Sequence, residues 1–394
     1  MTKLNKALMA TTAIAFASGL ALPAVAQDPS AAPGVVKSSN KMKLRLYGQV
    51  TRGFGVINDG ETSTFKQFRN GNTSTRMGID GRGKVTKDVS LRTRVEYEIR
   101  NGSANQFDGQ GKDDAGLVIR HLDAIFSHKR LGAVWIGRGD TAANGTSEKN
   151  LLPGGSAGRL GGSTHNLITD ASVLLDTSGT VESSELATLS RFFNSFDGSS
   201  RRQRIRYDTP TIAGFKIGAS AIDQQSWDVA MHYKGKVAGV KIAAGAGFTH
   251  LAGNLGENKP LSQDTNQLNG SISVLTPFGL GATFSGGKQW LDYESGVPDA
   301  LKAAPYNINP AIFYTGKWTE LGPTGIEYAY QFSNEIGAVP GIEGQGHSVQ
   351  ITQVLANTGT DTFVGFRYFD IDTGVPGLNA ENLWFFGAGF RARF

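Results

Sequence analysis

The sequence predicts an all-β chain that closes into a 16-stranded antiparallel transmembrane β-barrel. Three observations carry that reading. Short segments of alternating polarity recur along the chain with no long helical period, and the connections between them alternate between short and long. The final segment also ends on a bare aromatic, Phe394. Two-residue periodicity is the mark of a strand with one apolar and one polar face.

Composition removes several rivals. The 394 residues carry 39 basic and 34 acidic side chains, a formal charge of +5 too diffuse to argue for nucleic acid. Cysteine is absent, which excludes disulfide scaffolds, thiol catalysis, iron–sulfur clusters and cysteine-based zinc sites. Glycine reaches 52 without a triplet period, so a collagen-like chain is excluded. Beyond the N-terminal segment there is no run of about 18 apolar residues, so helical membrane spans are excluded too.

Residues 1–26 read as a secretory signal peptide. Lys3 and Lys6 form the basic start, an apolar run follows over 7–22, and Ala24-Val25-Ala26 supplies a small-x-small cleavage site. The rival, an uncleaved anchor helix, needs a longer and less alanine-rich run. Cleavage leaves a chain starting at Gln27, in which 27–40 is a flexible lead-in and 41–394 the barrel.

The segment Val89–Arg100 shows the strand pattern well. Leu91, Val95, Tyr97 and Ile99 share one face, and Arg92, Arg94, Glu96, Glu98 and Arg100 share the other. Sixteen such segments start near Lys43, Thr73, Asp88, Leu117, Gly132, Arg202, Gly214, Trp227, Val240, Gln267, Leu280, Pro310, Gly325, His347, Asp361 and Leu383. Short connections fall at 84–87, 129–131, 209–213, 236–239, 276–279, 319–324 and 356–360. The interleaved ones, 58–72, 101–116, 141–201, 251–266, 291–309, 334–346 and 371–382, are long, with one short exception at 223–226.

Short turns at one end and long loops at the other are the layout of an outer-membrane barrel. Lipid demands that every backbone group be paired, and a closed barrel does that. Sixteen strands enclose more space than their own side chains fill, so an aqueous lumen is expected. In the last segment Trp384, Phe386, Ala388, Phe390, Ala392 and Phe394 line one face, with Arg391 and Arg393 on the other. Soluble chains end on polar, frayed residues; an aromatic stripe suits lipid. Trp135, Trp227, Trp290 and Trp318 fall near segment ends, where an interfacial belt would place them.

Five short motifs stand in order along the chain: Leu46-Tyr47-Gly48-Gln49; Thr75-Arg76-Met77-Gly78-Ile79-Asp80-Gly81; Gly132-Ala133-Val134-Trp135-Ile136-Gly137-Arg138; Arg206-Tyr207-Asp208-Thr209-Pro210 with Ala213-Gly214-Phe215; and the terminal Phe394. Together they resemble the Gram-negative general porin family, in its alphaproteobacterial branch. The resemblance implies a homotrimer of water-filled barrels in outer-membrane lipid and lipopolysaccharide, passing small hydrophilic solutes and ions. It implies a long third loop folded into the lumen as a constriction, and Phe394 as the signal read by the barrel-assembly machinery. Here that loop is 141–201, carrying Glu148, Asp170, Asp176, Glu182 and Glu185. Its length alone suggests a functional element. The wall candidates opposite are Arg76, Arg120 and Arg206, with Gln49 where some relatives place a lysine, and strand alternation adds Arg92, Arg94 and Arg204. The loop offers Pro153-Gly154-Gly155 in place of the Pro-Glu-Phe-Gly-Gly run of enteric relatives, so the acid at the eyelet is open.

Opposed acids and bases across a narrow passage order water and favour polar solutes. The surplus of wall arginines leans towards weak anion preference, and a substrate-selective anion or phosphate channel is the alternative. No cofactor or metal is expected. The six histidines, His121, His128, His165, His232, His250 and His347, never reach metal-ligand spacing. Asp370-Ile371-Asp372 in a loop is too short a ligand run for an EF-hand. Gly137-Arg138-Gly139-Asp140-Thr141-Ala142 lacks the helix a dinucleotide site needs. The basic run 201–206 has no interleaved aromatics to stack nucleic-acid bases. Glu96 and Glu98, flanked by arginines, read as a salt-bridged ladder rather than a catalytic pair. An enzymatic barrel would need a nucleophile set, and no G-x-S-x-G elbow appears. A soluble exported binding protein would reverse the polarity of the faces.

Overall fold

The computed structural model describes residues 42–58, 60, 63–68, 70, 72–100, 116–154, 175–177, 189, 192–253, 262–374 and 378–394. The expected leader and lead-in, and most of the middle of loop 141–201, lie outside them.

In chain order the strands are β1 (Lys43–Asn58), β2 (Ser63–Phe68), β3 (Arg76–Lys84), β4 (Val89–Arg100), β5 (Gly116–His128), β6 (Gly132–Asp140), β7 (Leu175–Thr177), β8 (Arg201–Asp208), β9 (Phe215–Ile222) and β10 (Trp227–Val237). They continue as β11 (Val240–Leu251), β12 (Ser262–Leu275), β13 (Leu280–Tyr293), β14 (Tyr306–Thr319), β15 (Gly322–Asn334), β16 (Glu343–Leu355), β17 (Thr360–Asp372), β18 (Leu378–Ala380) and β19 (Leu383–Arg393). All except β7 and β18 belong to one sheet, and β1 pairs with β19 to close it. Both β2 and β3 run antiparallel to β1, at Gly53–Asn58 and Lys43–Gln49 respectively, so they are two halves of one stave. The result is a closed antiparallel barrel of sixteen staves.

Alternation explains why the sheet curls with this polarity. Along β14, Ile308, Ile312 and Tyr314 are exposed while Asn307, Asn309 and Ala311 are buried. The same contrast recurs on β1, with Leu44 and Leu46 outside and Gln49 and Thr51 inside. Large apolar side chains exposed on stave after stave are what a lipid-facing band requires. Trp290 and Trp318 belong to it, Trp318 stacked on Tyr314 at 5.7 Å.

Phe394 completes the seam. It exchanges backbone hydrogen bonds with Gly48 at 3.0 and 3.1 Å. Its ring lies so close over Gly48 that a Cβ there would stand 2.5 Å from Phe394 Cζ, so only glycine admits it.

Three expectations are corrected. The first long connection, 58–72, is mostly strand: β2 occupies 63–68, and the chain then turns inward between β2 and β3. Thr64, Phe65 and Phe68 are strand formers, with Phe65 exposed and Phe68 buried, so the stave continues past the expected loop. The lumen is also not uniformly aqueous. Ile57, Phe68, Phe363, Phe369, Ile371, Leu383 and Phe385 from the wall cluster with Leu189, Phe192 and Phe193 from loop 141–201, all buried. Asp370 and Asp372, read as a loop pair, are the exposed end of β17.

Candidate functional site

The inner faces of β3, β4, β5, β8 and β9 carry a charged ladder with a simple repeat: a carboxylate held between two cations. Asp80 lies 3.0 Å from Arg82 and 2.6 Å from Arg92. Asp123 lies 2.7 Å from both Arg94 and Arg204. Asp208 takes Arg206 at 2.7 Å and Lys216 at 3.1 Å. Glu96 accepts from Arg120 at 2.7 Å and from the Tyr47 hydroxyl at 2.9 Å, with Arg76 at 3.9 Å. Across the seam, Asp361 sits between Arg391 at 2.5 Å and Arg393 at 3.1 Å. Opposite charges facing each other across adjacent strands stabilise the sheet and point the arginines inward.

Arg120 reaches this face by a defect in the alternation. His121 and Asp123 are the buried, inward residues of β5, so strict alternation sends Arg120 outward. A β-bulge sets Glu96 opposite His121 but Tyr97 opposite Ile119. The extra residue lets Arg120 and His121 both face the lumen, as bulges beside functional sites do.

Trp135 departs from the interfacial belt. Its ring stands under three guanidinium groups, Arg206 at 4.9 Å, Arg94 at 5.2 Å and Arg204 at 5.8 Å, so it faces the lumen. An indole face attracts cations that have lost part of their water. Gln49 is inward but 5% exposed, its amide donating to Thr73 Oγ1 at 2.7 Å and Ser74 O at 2.8 Å. It pins the inward turn between β2 and β3 rather than presenting itself to solvent. Arg206 is similarly committed, donating to Thr141 O at 2.7 Å and so fixing the root of loop 141–201.

The described parts of that loop follow the opposite half of the wall. Ala142 and Ala143 N–H donate to the Asp228 carboxylate of β10, both at 3.1 Å. Lys149 and Leu151 N–H donate to Ser271 and Ser273 of β12, at 2.9 and 3.1 Å. Asn150 Nδ2 donates to Glu327 of β15 at 2.8 Å. Pro153 O accepts from Thr352 of β16 at 2.9 Å, and Gly154 O from Arg391 of β19 at 2.8 Å. The approach is close enough that a Cβ on Gly245 would stand 3.0 Å from Thr146. Returning, Phe193 packs on Phe369 with ring centres 5.1 Å apart, Asn194 O accepts from Asn307, and Phe196 O accepts from Gln267 at 2.6 Å. The two limbs are tied by Asp197, which accepts from Gly145 N–H at 2.7 Å, Ser147 N–H at 3.0 Å and Ser147 Oγ–H at 2.8 Å.

Of the loop acids, Glu148 lies beside Asp197, close enough for its charge to act on that carboxyl. The backbone of Asp176 is in β7, opposite Asn379 of β18. Asp170, Glu182 and Glu185 lie outside the described residues. Sequence reading passed over Asp80, Asp123, Asp208, Asp361 and Trp135. The carboxylates were findable, since each stands two residues from an arginine or lysine of the same face or directly across the register. No comparable signal marked Trp135. Among the described residues no group of three or more His, Asp or Glu is placed to hold a metal ion.

A barrel with a charged inner wall and an apolar band outside defines a membrane channel rather than a soluble binding protein. The chain matches the Gram-negative porin family over residues 10–374 and belongs to it: it is an outer-membrane barrel for passive diffusion. Among solved structures it is similar to the anion-selective porin from Comamonas acidovorans, at 13% identity and a TM-score of 0.57 over 90% of this chain and 100% of that one. It is also similar to the trimer form of in-vitro folded OmpT of Vibrio cholerae, at 14% identity and a TM-score of 0.55, covering 90% of this chain and all of the other. Salmonella typhi OmpF in complex with daunomycin gives 12% identity and a TM-score of 0.54, over 88% and 97% of the two chains. Identities this low speak for the fold alone. Comparison with curated proteins gives no match.

Proposed function

We propose that this porin is a homotrimeric general diffusion channel for small hydrophilic solutes, without catalysis, that prefers anions. One observation carries the anion preference: the wall carboxylates Asp80, Glu96, Asp123, Asp208 and Asp361 each lie between two cations, so every rung of the ladder leaves positive charge over. In this reading loop 141–201 narrows the barrel and solutes pass between its limbs and the ladder on β3, β4, β5, β8 and β9. Arg76, Arg92, Arg94, Arg120, Arg204 and Arg206 then set the field on one side, with Glu148 and the remaining loop acids opposite. Oriented water in such a field is displaced by polar solutes and resists apolar ones. The trimer form of the OmpT relative is compatible with a trimer here. The anion-selective Comamonas porin favours the second reading, a channel selective for anions such as phosphate.

Single-channel recording of the purified protein in a planar bilayer under a salt gradient tests this. Large conductance arriving in threes, with a reversal potential of the anion-selective sign, is the expected result. Cation selectivity would remove the ladder as the source of the field, and block by one low-concentration anion would favour the selective channel.

The loop tie adds a pH dependence. Burial, reinforced by the Glu148 charge, pushes the Asp197 carboxyl up to about 7. A carboxyl raised above its unfolded value stabilises the fold in its protonated form. Its contribution is complete below about pH 4 and is lost as pH rises through about 7. The limbs are therefore held more firmly at about pH 5 than at about pH 8, read as quieter open-channel current. Asp197→Asn should give equally quiet traces at both. Wild-type noise that does not change with pH would take Asp197 out of the tie.

A further inference from the structure

Each ladder arginine named above has a carboxylate within salt-bridge distance. A group of cations without any such partner lies elsewhere, at the end with the short turns. There Lys43 and Arg45 of β1, Lys84 of β3, Lys234 and Lys236 of β10 and Lys241 of β11 are all exposed, and none forms an ion pair among the described residues.

The register shows that these side chains face inward. Lys43 and Arg45 share a face with Tyr47, whose hydroxyl reaches Glu96 in the lumen, and they stand opposite Arg82 and Asp80. Lys234 and Lys236 share a face with His232, whose Nε2 lies 3.0 Å from Ala142 O on the loop. Lys236 stands directly opposite Lys241. Like charges in that position repel and destabilise a sheet, and no carboxylate among the described residues pairs with them. Of the acids at this mouth, Asp80, Asp208 and Asp361 are engaged with two cations each and Asp88 with Lys129 at 3.2 Å, while Glu320 lies in the turn between β14 and β15, staves that carry none of the six. Short turns mark the periplasmic end of an outer-membrane barrel.

We infer that this periplasmic vestibule is a second element that selects anions, ahead of the arginine ladder, gathering small carboxylate- and phosphate-bearing solutes at the inner mouth through Lys43, Arg45, Lys84, Lys234, Lys236 and Lys241. The inference rests on the channel reading above. A ladder rung spreads one surplus charge over two cations and the carboxylate between them, whereas each unpaired lysine presents a full charge of its own. In about 0.1 M salt the screening length is about 10 Å and the field covers much of the mouth; in about 1 M it is about 3 Å and the field collapses onto the side chains. Selectivity made here therefore fades with salt and is strongest when the dilute solution bathes the short-turn end.

The test compares wild type with two triple variants, K234Q/K236Q/K241Q and K43Q/R45Q/K84Q, in planar bilayers. Each should lower the anion-to-cation permeability ratio by about threefold or more in about 0.1 M potassium chloride and leave conductance in about 1 M unchanged. Because the chain has no cysteine, Lys236→Cys offers a second route that keeps the fold. Labelling it with a cationic thiosulfonate should restore the ratio, and an anionic one should lower it further. Three results would overturn the inference. One is a wild-type channel without anion preference in dilute salt. Another is a ratio unchanged in both triple variants. The last is loss of preference in Arg76→Gln/Arg120→Gln while both triples behave as wild type. A wild-type protein that does not conduct at all would instead overturn the channel reading.

Discussion

Replacing Asp123 by Ala is expected to cost the folded barrel about 3–5 kcal/mol, the range for removing one partner from a buried ion pair. The Asp123 side chain is fully buried, Arg204 is equally buried, and Arg94 is 10% exposed. Both guanidinium groups bind it through 2.7 Å contacts, and Arg204 is otherwise held only by the carbonyls of Asp140 and Gly137. Deleting the carboxylate leaves two largely desolvated cations side by side under the face of Trp135, with little access to water. Asp80→Ala removes a chemically similar centre, but Arg82 is 62% and Arg92 34% exposed, so both can rehydrate and the loss should be smaller. Urea unfolding of the refolded barrels, followed by the gel shift between folded and unfolded forms, ranks the two. Equal losses would show that burial does not set the strength of the ladder.

That ranking rests on burial, the quantity least visible in the sequence. The staves themselves were legible, because a strand between lipid and lumen must alternate, and each of the sixteen expected starts falls in or beside an observed stave. Strands β12 and β14 begin several residues earlier than expected, at Ser262 and Tyr306, since alternation continues past the apolar band into the loops. The inward direction of Arg92, Arg94 and Arg204 followed from the same two-residue period. Arg120 did not follow from it: one inserted residue shifts the face locally, and nothing in the neighbouring sequence announces a bulge. Trp135 was misplaced because an aromatic near a strand end suits a lipid interface and a cation cradle equally well. Only the register opposite Arg206 decides between them. Likewise, Phe68, Phe363 and Phe385 cannot be told from lipid-facing phenylalanines until the loop that covers them is in place.

That loop packing supports the second large effect. Phe193 is fully buried, its ring against Phe369, within the cluster that includes Leu189, Phe192 and Phe385. Phe193→Ala should remove about 3–5 kcal/mol, the cost of truncating a buried aromatic. The loss falls on docking of the returning limb and not on the barrel, because no hydrogen bond of the sheet involves residues 192–200. The limb keeps scattered polar ties, at Asn194, Phe196 and Asp197 and, at its root, Ser199 and Ser200. At about 1.4 kcal/mol per factor of ten, the undocked population rises by roughly a hundredfold or more. The expected outcome is larger and noisier single-channel current and faster proteolysis of the loop, at nearly unchanged barrel stability. Phe386→Ala, which trims a 49% exposed residue of the outer face, should alter neither current nor proteolysis. Wild-type conductance in Phe193→Ala, with the loop shown to be cut, would mean that the limb does not narrow the passage. The apolar cluster would then serve assembly of the wall alone. Larger conductance with intact selectivity would instead separate the two functions physically, with aperture set by the loop and ion preference set by charges the loop does not carry.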